Sequence, residues 1–361
     1  MTTSEHAPLL EAKLPHYAAA AFTRARHGKT GRQLPQAIAH RGYRAKYPEN
    51  TMTAFTEAVR VGAHAIETDV HLSKDGVVVL SHDATLKRCF GREGKILDFD
   101  WSYLSSLRTL QEPHEHMPRL FDLLEYLASP GLENIWLILD IKVDNDADDV
   151  MRLIANTIRQ VPPGMKRPWP ERINLGCWTA KYLPLCETYL PNFPISHIGF
   201  NIYYARRFLK SPSVSSFNLL QRVMVGPLGH RFLCDAHAAG RSVFVWTVND
   251  VGTMRWSIRR GVDGVLTDDP KKFLDVCREF REDIYLEEDR LTVRQYLGLV
   301  GFNIVAAVLN LLFRWRHELR DHMKKVTAKR KTMGTGNGNG AAACPGDRKQ
   351  GGEQVDEDND G

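Results

Sequence analysis

The stretch "AIAHRGYRAKYPENTMTAFTEA", residues 37–58, is a short apolar run that ends on His40 and Arg41, a turn through Pro48-Glu49-Asn50-Thr51, and then a helical pattern. A strand, a loop and a helix make one βα unit, and the alternation recurs along the chain to about residue 268. The β-rich runs are "QAIAHR", "HAIETDVHL", "GVVVLSHD", "IWLILDIKV", "INLGCW", "ISHIGF", "SVFVWTVND" and "DGVLTD". Eight such runs, mostly separated by helix-length segments, predict a TIM (β/α)8 barrel, with "SSFNLLQRVMVG" an ambiguous ninth candidate. Asn50 or Thr51 suits the N-cap of the first helix, "MPRLFDLLEYLA" has apolar residues at helical spacing, and "GHRFLCDAHAAGRS" ends on Gly240 as a C-cap. The segment "RCFGREGKILDFDWSYLSSLRTLQEPHEHM" is long for a βα connection, and long loops on that face usually carry function.

A chain of 361 residues has ample length for such a barrel, which needs about 250. The six cysteines (Cys89, Cys177, Cys186, Cys234, Cys277, Cys344) show no CxxC pairing, so they read as reduced, mostly buried thiols. The N-terminus has only a short apolar core, preceded by Glu5, Glu11 and Lys13, which does not suit a secretory signal, and no Asn-x-Ser/Thr site occurs. These features lead to the expectation of a cytosolic setting.

The net charge of +5 is concentrated late in the chain: Arg314, Arg316, Arg320, Lys324, Lys325, Lys329, Arg330 and Lys331 face only Glu318 and Asp321. Nothing resembles a nucleic-acid module, and this basic run directly follows the most apolar segment, so the expected partner is an anionic membrane surface and no nucleic acid.

Polar side chains gather near the C-terminal ends of the first four runs, where a barrel keeps its active site: His40 and Arg41, Glu67 and Asp69, His82 and Asp83, Asp140 and Lys142. Glu67 and Asp69, two apart on a strand, point to one face and with Asp140 offer three oxygens suited to Mg²⁺ or Ca²⁺. The same carboxylates equally suit buried ion pairs with Arg41 or Lys142. Two histidines on separate strand ends are equipped to take one proton and give another near neutral pH. Arg41 and Lys142 suit a phosphoryl group, Trp246 suits a glycerol moiety or core packing, and Asp268 and Asp269 read as turn residues after the last strand.

"AHRG", "PENT", "SKDG", "HD", "MPRL", "WTVN" and "GVDGVLTDDP" in this order resemble the glycerophosphodiester phosphodiesterase family over roughly residues 36–270. The resemblance implies a TIM barrel, His40 and His82 as the acid/base pair, Glu67 and Asp69 as metal ligands, and phosphate contacts from Arg41 and Lys142. One departure stands out: the family usually has Glu before the "IK" of the fourth run, where this chain has Asp140.

"YLGLVGFNIVAAVLNLLF", Tyr296 to Phe313, is short for a membrane span and contains Asn303 and Asn310. It is expected to enter the membrane from the cytosolic side and to lie in or return to that face, with Tyr296, Phe302, Leu312, Phe313 and Trp315 in contact with lipid and the basic run at the headgroups; a span and an ordinary helix packed on the barrel are the alternatives. Barrel and apolar segment together resemble the fungal phosphatidylglycerol phospholipases C within the family. That implies a membrane phospholipid substrate, with deacylated soluble glycerophosphodiesters the alternative. The expected organisation is an extension (1–35), the barrel (36–285), a membrane segment with basic flank (286–331) and a disordered tail (332–361). The expected location is a membrane, with the catalytic domain facing the cytosol on an endomembrane, the mitochondrial surface or a lipid droplet.

Overall fold

The computed structural model describes residues 20–27, 33–164, 166–280 and, between 294 and 315, all but 295, 296, 299 and 314. Eight parallel strands form a closed ring: β1 (Gln36–His40), β2 (Ala65–Leu72), β3 (Trp136–Ile141), β4 (Ile173–Cys177), β5 (Ile195–Gly199), β6 (Val214–Leu220), β7 (Ser242–Trp246) and β8 (Gly264–Thr267). Each strand pairs with the next in sequence, and β8 pairs back onto β1. The helices that follow them are α1 (Met52–Arg60), α2 (Leu120–Ala128), α3 (Ala147–Gln160), α4 (Leu183–Tyr189), α5 (Ile202–Phe208), α6 (Pro227–Ala238), α7 (Val251–Arg260) and α8 (Pro270–Glu279). Thr51 caps α1 by accepting the Ala54 amide, and α6 is followed by Gly240 at φ +71°.

One expected strand does not enter the ring. Val78–Leu80, from "GVVVLSHD", pairs antiparallel with the end of β2, and the ambiguous "SSFNLLQRVMVG" supplies β6 instead. The five residues between Leu72 and Val78 are too few for a parallel crossover, which needs a dozen or more, so the chain turns back as a hairpin.

Period two along each strand carries the interior from an apolar floor to a polar mouth. Ile38, Ala65, Trp136, Ile138, Phe244 and Leu266 pack together inside the ring. Two residues further along the same faces come His40, Glu67, Asp140, Trp246 and Asp268, and a further step reaches Asp69 and Lys142. The alternate residue Ala39 faces outward and packs with Tyr43, Ala58 and Ala63 at α1.

The floor is closed by the described part of the N-terminal extension. The Phe22 ring lies 5.3 Å from Trp136, and Gln36 donates to the carbonyls of Phe22 and Arg24 at 2.7 and 2.6 Å. Thr23 bonds Ser242 at the start of β7, and the Ala25 amide donates to Asp263 before β8.

The long connection after the hairpin has its own small core of Val79, Leu86, Phe90, Ile96, Leu104, Leu107 and Met117. Residues 300–313 form a helix in which Ala306 and Asn310 are buried, while Val305, Leu309 and Leu312 are exposed. No helix among the described residues is long and apolar enough to cross a membrane. The described cysteines are free: Cys177 and Cys186 are buried, Cys89 and Cys277 half-buried and Cys234 exposed.

Candidate active site

A cavity of about 180 Å³ at the C-terminal end of the ring is lined by His40, Arg41, Glu67, Asp69, His82, Asp140, Lys142 and Trp246, together with Trp178, Ile198 and Asn218. The register sets His40 beside Glu67 and Asp69 beside Asp140. Arg41, just past the end of β1, takes a left-handed φ of +58°, and its amide donates to the Glu67 carbonyl and side chain at 2.9 and 3.0 Å. Gly42 follows at φ +83°, where a Cβ would lie 2.8 Å from the Ala54 backbone of α1, so only glycine lets this turn sit against the helix.

Glu67, Asp69 and Asp140 present carboxylate oxygens within 4.8 Å of one another, all buried. Lys142 Nζ lies 2.6 Å from both Asp69 Oδ1 and Asp140 Oδ2, and Arg41 Nε lies 3.4 Å from Asp69 Oδ2. Asn50 donates to Asp69 and Trp178 Nε1 donates to Asp140, at 2.8 and 2.7 Å. Both sequence readings of these carboxylates are therefore present at once, as an ion-paired set and as an oxygen cluster of the size a cation needs. Burial raises the Asp69 carboxyl, but Lys142 and Arg41 outweigh it and hold the group well below its ordinary range. Glu67 goes the other way: burial, then repulsion from Asp69 and Asp140, push its carboxyl well up.

Three carboxylates thus face two cationic side chains, and an all-oxygen set in which one member resists ionisation fits a hard divalent cation. The shorter arm of Asp140 does not remove it from the set.

Each histidine is backed by a carboxylate. His40 Nδ1 lies 2.7 Å from Asp268 Oδ1, and His82 Nδ1 lies 2.8 Å from Asp83 Oδ1. A carboxylate accepting from Nδ1–H fixes the tautomer and leaves Nε2 for chemistry. The two carboxylates are gripped in turn: Arg44 reaches Asp268 at 3.2 Å, and Arg88 reaches Asp83 at 2.6 Å. Both arginines also converge on Glu49, Arg44 at 2.9 Å and Arg88 at 2.9 and 2.7 Å, and Arg41 joins them at 3.0 Å. A continuous polar chain therefore links one imidazole to the other through Asp268, Arg44, Glu49, Arg88 and Asp83. Burial raises the Glu49 carboxyl, but the hydrogen bonds from Arg88 and the charges of Arg41, Arg88 and Arg44 bring it down to about 2. Burial lowers the His82 imidazole despite the opposing pull of Asp69.

Several of these contacts are not visible in sequence. Asp268, which lies in the turn after β8 as expected, is also held by Asn249 and aimed at His40. Its signal was phase, since it lies two residues past the interior Leu266. Trp178, one residue past β4, stands with its ring centroid 6.0 Å from that of Trp246, whose Nε1 donates to the Asn218 carbonyl at 3.0 Å. Of the residues expected at a membrane, Phe302 and Phe313 are half-buried, Leu312 and Trp315 are exposed, and Tyr296 lies outside the described residues.

The sequence profile of the glycerophosphoryl diester phosphodiesterase family matches residues 40–272, and the chain belongs to this family of phosphoric diester hydrolases, whose reaction is the hydrolysis of glycerophosphodiesters. Among curated relatives, a glycerophosphodiester phosphodiesterase of Caldanaerobacter subterraneus is 27% identical over 67% of this chain and 97% of its own. A lysophospholipase D of Homo sapiens is 27% identical over 70% of this chain and 89% of its own. Among solved structures, a phosphodiesterase of Oleispira antarctica in complex with the product sn-glycerol-3-phosphate superposes with a TM-score of 0.60 at 23% identity, covering 68% of this chain and 98% of its own.

Proposed function

We propose that this chain is a metal-dependent phospholipase C that cleaves phosphatidylglycerol to diacylglycerol and glycerol phosphate. The observation that carries the phosphodiester chemistry is the pair of carboxylate-backed imidazoles lining one cavity with an acidic triad. His40 and His82 each offer Nε2 as base when neutral and as acid when protonated. One takes the proton from the free glycerol hydroxyl beside the phosphodiester, and that oxygen attacks phosphorus. The other protonates the leaving diacylglycerol oxygen, and a cyclic glycerol phosphate results. Water then opens the ring, with the two imidazoles exchanging roles. Arg41 and Lys142 neutralise the phosphoryl oxygens, and Trp246 with Trp178 walls the glycerol side. Glu67, Asp69 and Asp140 would hold the divalent cation, Mg²⁺ or Ca²⁺, which when bound supplies Lewis-acid stabilisation of the developing charge.

The lipid substrate is supported by the helix at 300–313, whose exposed Val305, Leu309 and Leu312 form an apolar face leading to the basic run of the C-terminal sequence. Such a face rests on an anionic membrane surface, here on the cytosolic side. A second reading has an observation of its own: the cavity of about 180 Å³ takes a head group and no tails, and the structural relative holds glycerol phosphate, so a deacylated diester would also fit.

Head-group release by the full-length protein from phosphatidylglycerol vesicles and from glycerophosphoglycerol, each with Mg²⁺, Ca²⁺ or chelator, tests both. Metal-dependent diacylglycerol from vesicles is the expected result. Phosphatidic acid as product overturns the cleavage position, and turnover of the soluble diester alone overturns the lipid reading.

A further inference from the structure

We propose that the groove between the 300–312 helix and the start of α6 is an acyl-chain site, which holds one tail of the lipid whose head group lies in the catalytic cavity. This inference rests on the lipid reading above. The groove has a volume of about 250 Å³ and is walled by Tyr203, Val225, Leu228, Val300, Ile304 and Val308, with Asn303 as its amide side chain.

Its position connects it to the chemistry. Tyr203 lies in the first turn of α5, after β5, and Val225 and Leu228 flank the start of α6, after β6. Those two strands supply Ile198 and Asn218 to the catalytic cavity, so groove and cavity open at the same end of the barrel. Two ring contacts run outward from the cavity wall, Trp246 to Trp178 at 6.0 Å and Trp178 to Phe200 at 6.3 Å, and Phe200 precedes Tyr203 of the groove by three residues in the chain. The cavity has room for a head group only, so the tails of a diacyl substrate must leave it, and this wall gives them an apolar path.

The neighbouring charge identifies the occupant. The Arg222 guanidinium sits 4.5 Å from the centroid of Phe302 on that C-terminal helix, and Arg207 and Lys210 border a depression at the end of α5, where Arg206 is already paired with Asp235. Hydrocarbon-lined walls beside cations suit a molecule that joins hydrocarbon to an anionic phosphodiester.

The experiment compares kcat/KM of the full-length protein for glycerophosphoglycerol and for dibutanoyl- and dihexanoyl-phosphatidylglycerol, all monomeric in solution so that no membrane surface contributes. Each methylene buried in an apolar site strengthens binding roughly two- to fourfold, so kcat/KM should climb with chain length. Ile304→Asp and Leu228→Asp change opposite walls at positions 60% and 46% exposed, which the fold tolerates. Both should flatten the climb while leaving glycerophosphoglycerol turnover within about twofold.

A wild-type protein that cleaves the short lipids with no chain-length gain, or variants that keep the gain, overturn the groove and leave the lipid reading standing. Loss of vesicle binding in the variants with the gain intact makes the groove part of a surface resting on the bilayer, and overturns it too. Equal loss on glycerophosphoglycerol shows that the helix supports the barrel instead. Failure to cleave any acylated substrate sinks the lipid reading itself.

Discussion

Glu49 is not among the residues that line the cavity, yet it holds the groups behind both imidazoles. It receives Arg44 and Arg88, which hold the carboxylates behind His40 and His82, so one side chain sets the aim of both imidazoles. Replacing either imidazole in His40→Ala or His82→Ala should cost a hundredfold or more in kcat, as about that much is supplied by a general acid or base. Glu49→Gln should lower kcat by roughly tenfold and raise KM as well, since it disorders the aim of the imidazoles and weakens the hold on Arg41, the proposed phosphate contact. The same substitution has a pH signature. A carboxyl held at about 2, against 4.5 when unperturbed, contributes stability that is complete above the higher value and is lost as pH falls through the lower. Wild type should therefore lose stability in acid across that window, by about 3 kcal/mol in all, and Glu49→Gln should lack this component in urea titrations at stepped pH. At this scale much of the site was legible, because His40, Glu67, Asp69 and Asp140 are polar residues in phase with apolar ones on strands. Asp268 was not, because an acidic residue after a strand is equally common as a turn former.

The element with the most to lose is the long connection after Val78–Leu80. It delivers His82, Asp83 and Arg88 to the mouth, and it is held by a satellite core separate from the barrel interior. Leu104 is fully buried there, and Leu104→Ala should cost about 2–5 kcal/mol locally. Hydrogen exchange should rise across residues 84–117 while β1 to β8 stay protected, and activity should fall further than the global melting temperature suggests. The hairpin also shows what a hydrophobic pattern does not reveal. "GVVVLSHD" and "SSFNLLQRVMVG" are both apolar enough to be barrel strands, and connection length decided between them. A five-residue connection excludes a parallel neighbour however apolar the run that follows it. The C-terminal helix was legible as an apolar segment, but burial of Ala306 and Asn310 depends on partners distant in sequence.

For the whole molecule, a cation bound by the acidic triad would couple folding to that ligand. Asp69 and Asp140 repel the Glu67 carboxylate and a cation held by the three would offset that, so Mg²⁺ or Ca²⁺ should raise the melting temperature by several degrees at a hundred times Kd, worth about 2.7 kcal/mol. Asp69→Asn should abolish this shift, as read by calorimetry with and without chelator. The ring and its floor tie the beginning of the chain to its end, since β1 pairs with β8 and Thr23 and Ala25 bond to Ser242 and Asp263. During synthesis the first strand therefore waits for the last: at about 5–20 residues per second, roughly 10 to 50 s pass before its second neighbour leaves the ribosome. Through that interval β1 has an open edge, and a nascent chain stopped short of residue 264 would expose it to other chains in the cell.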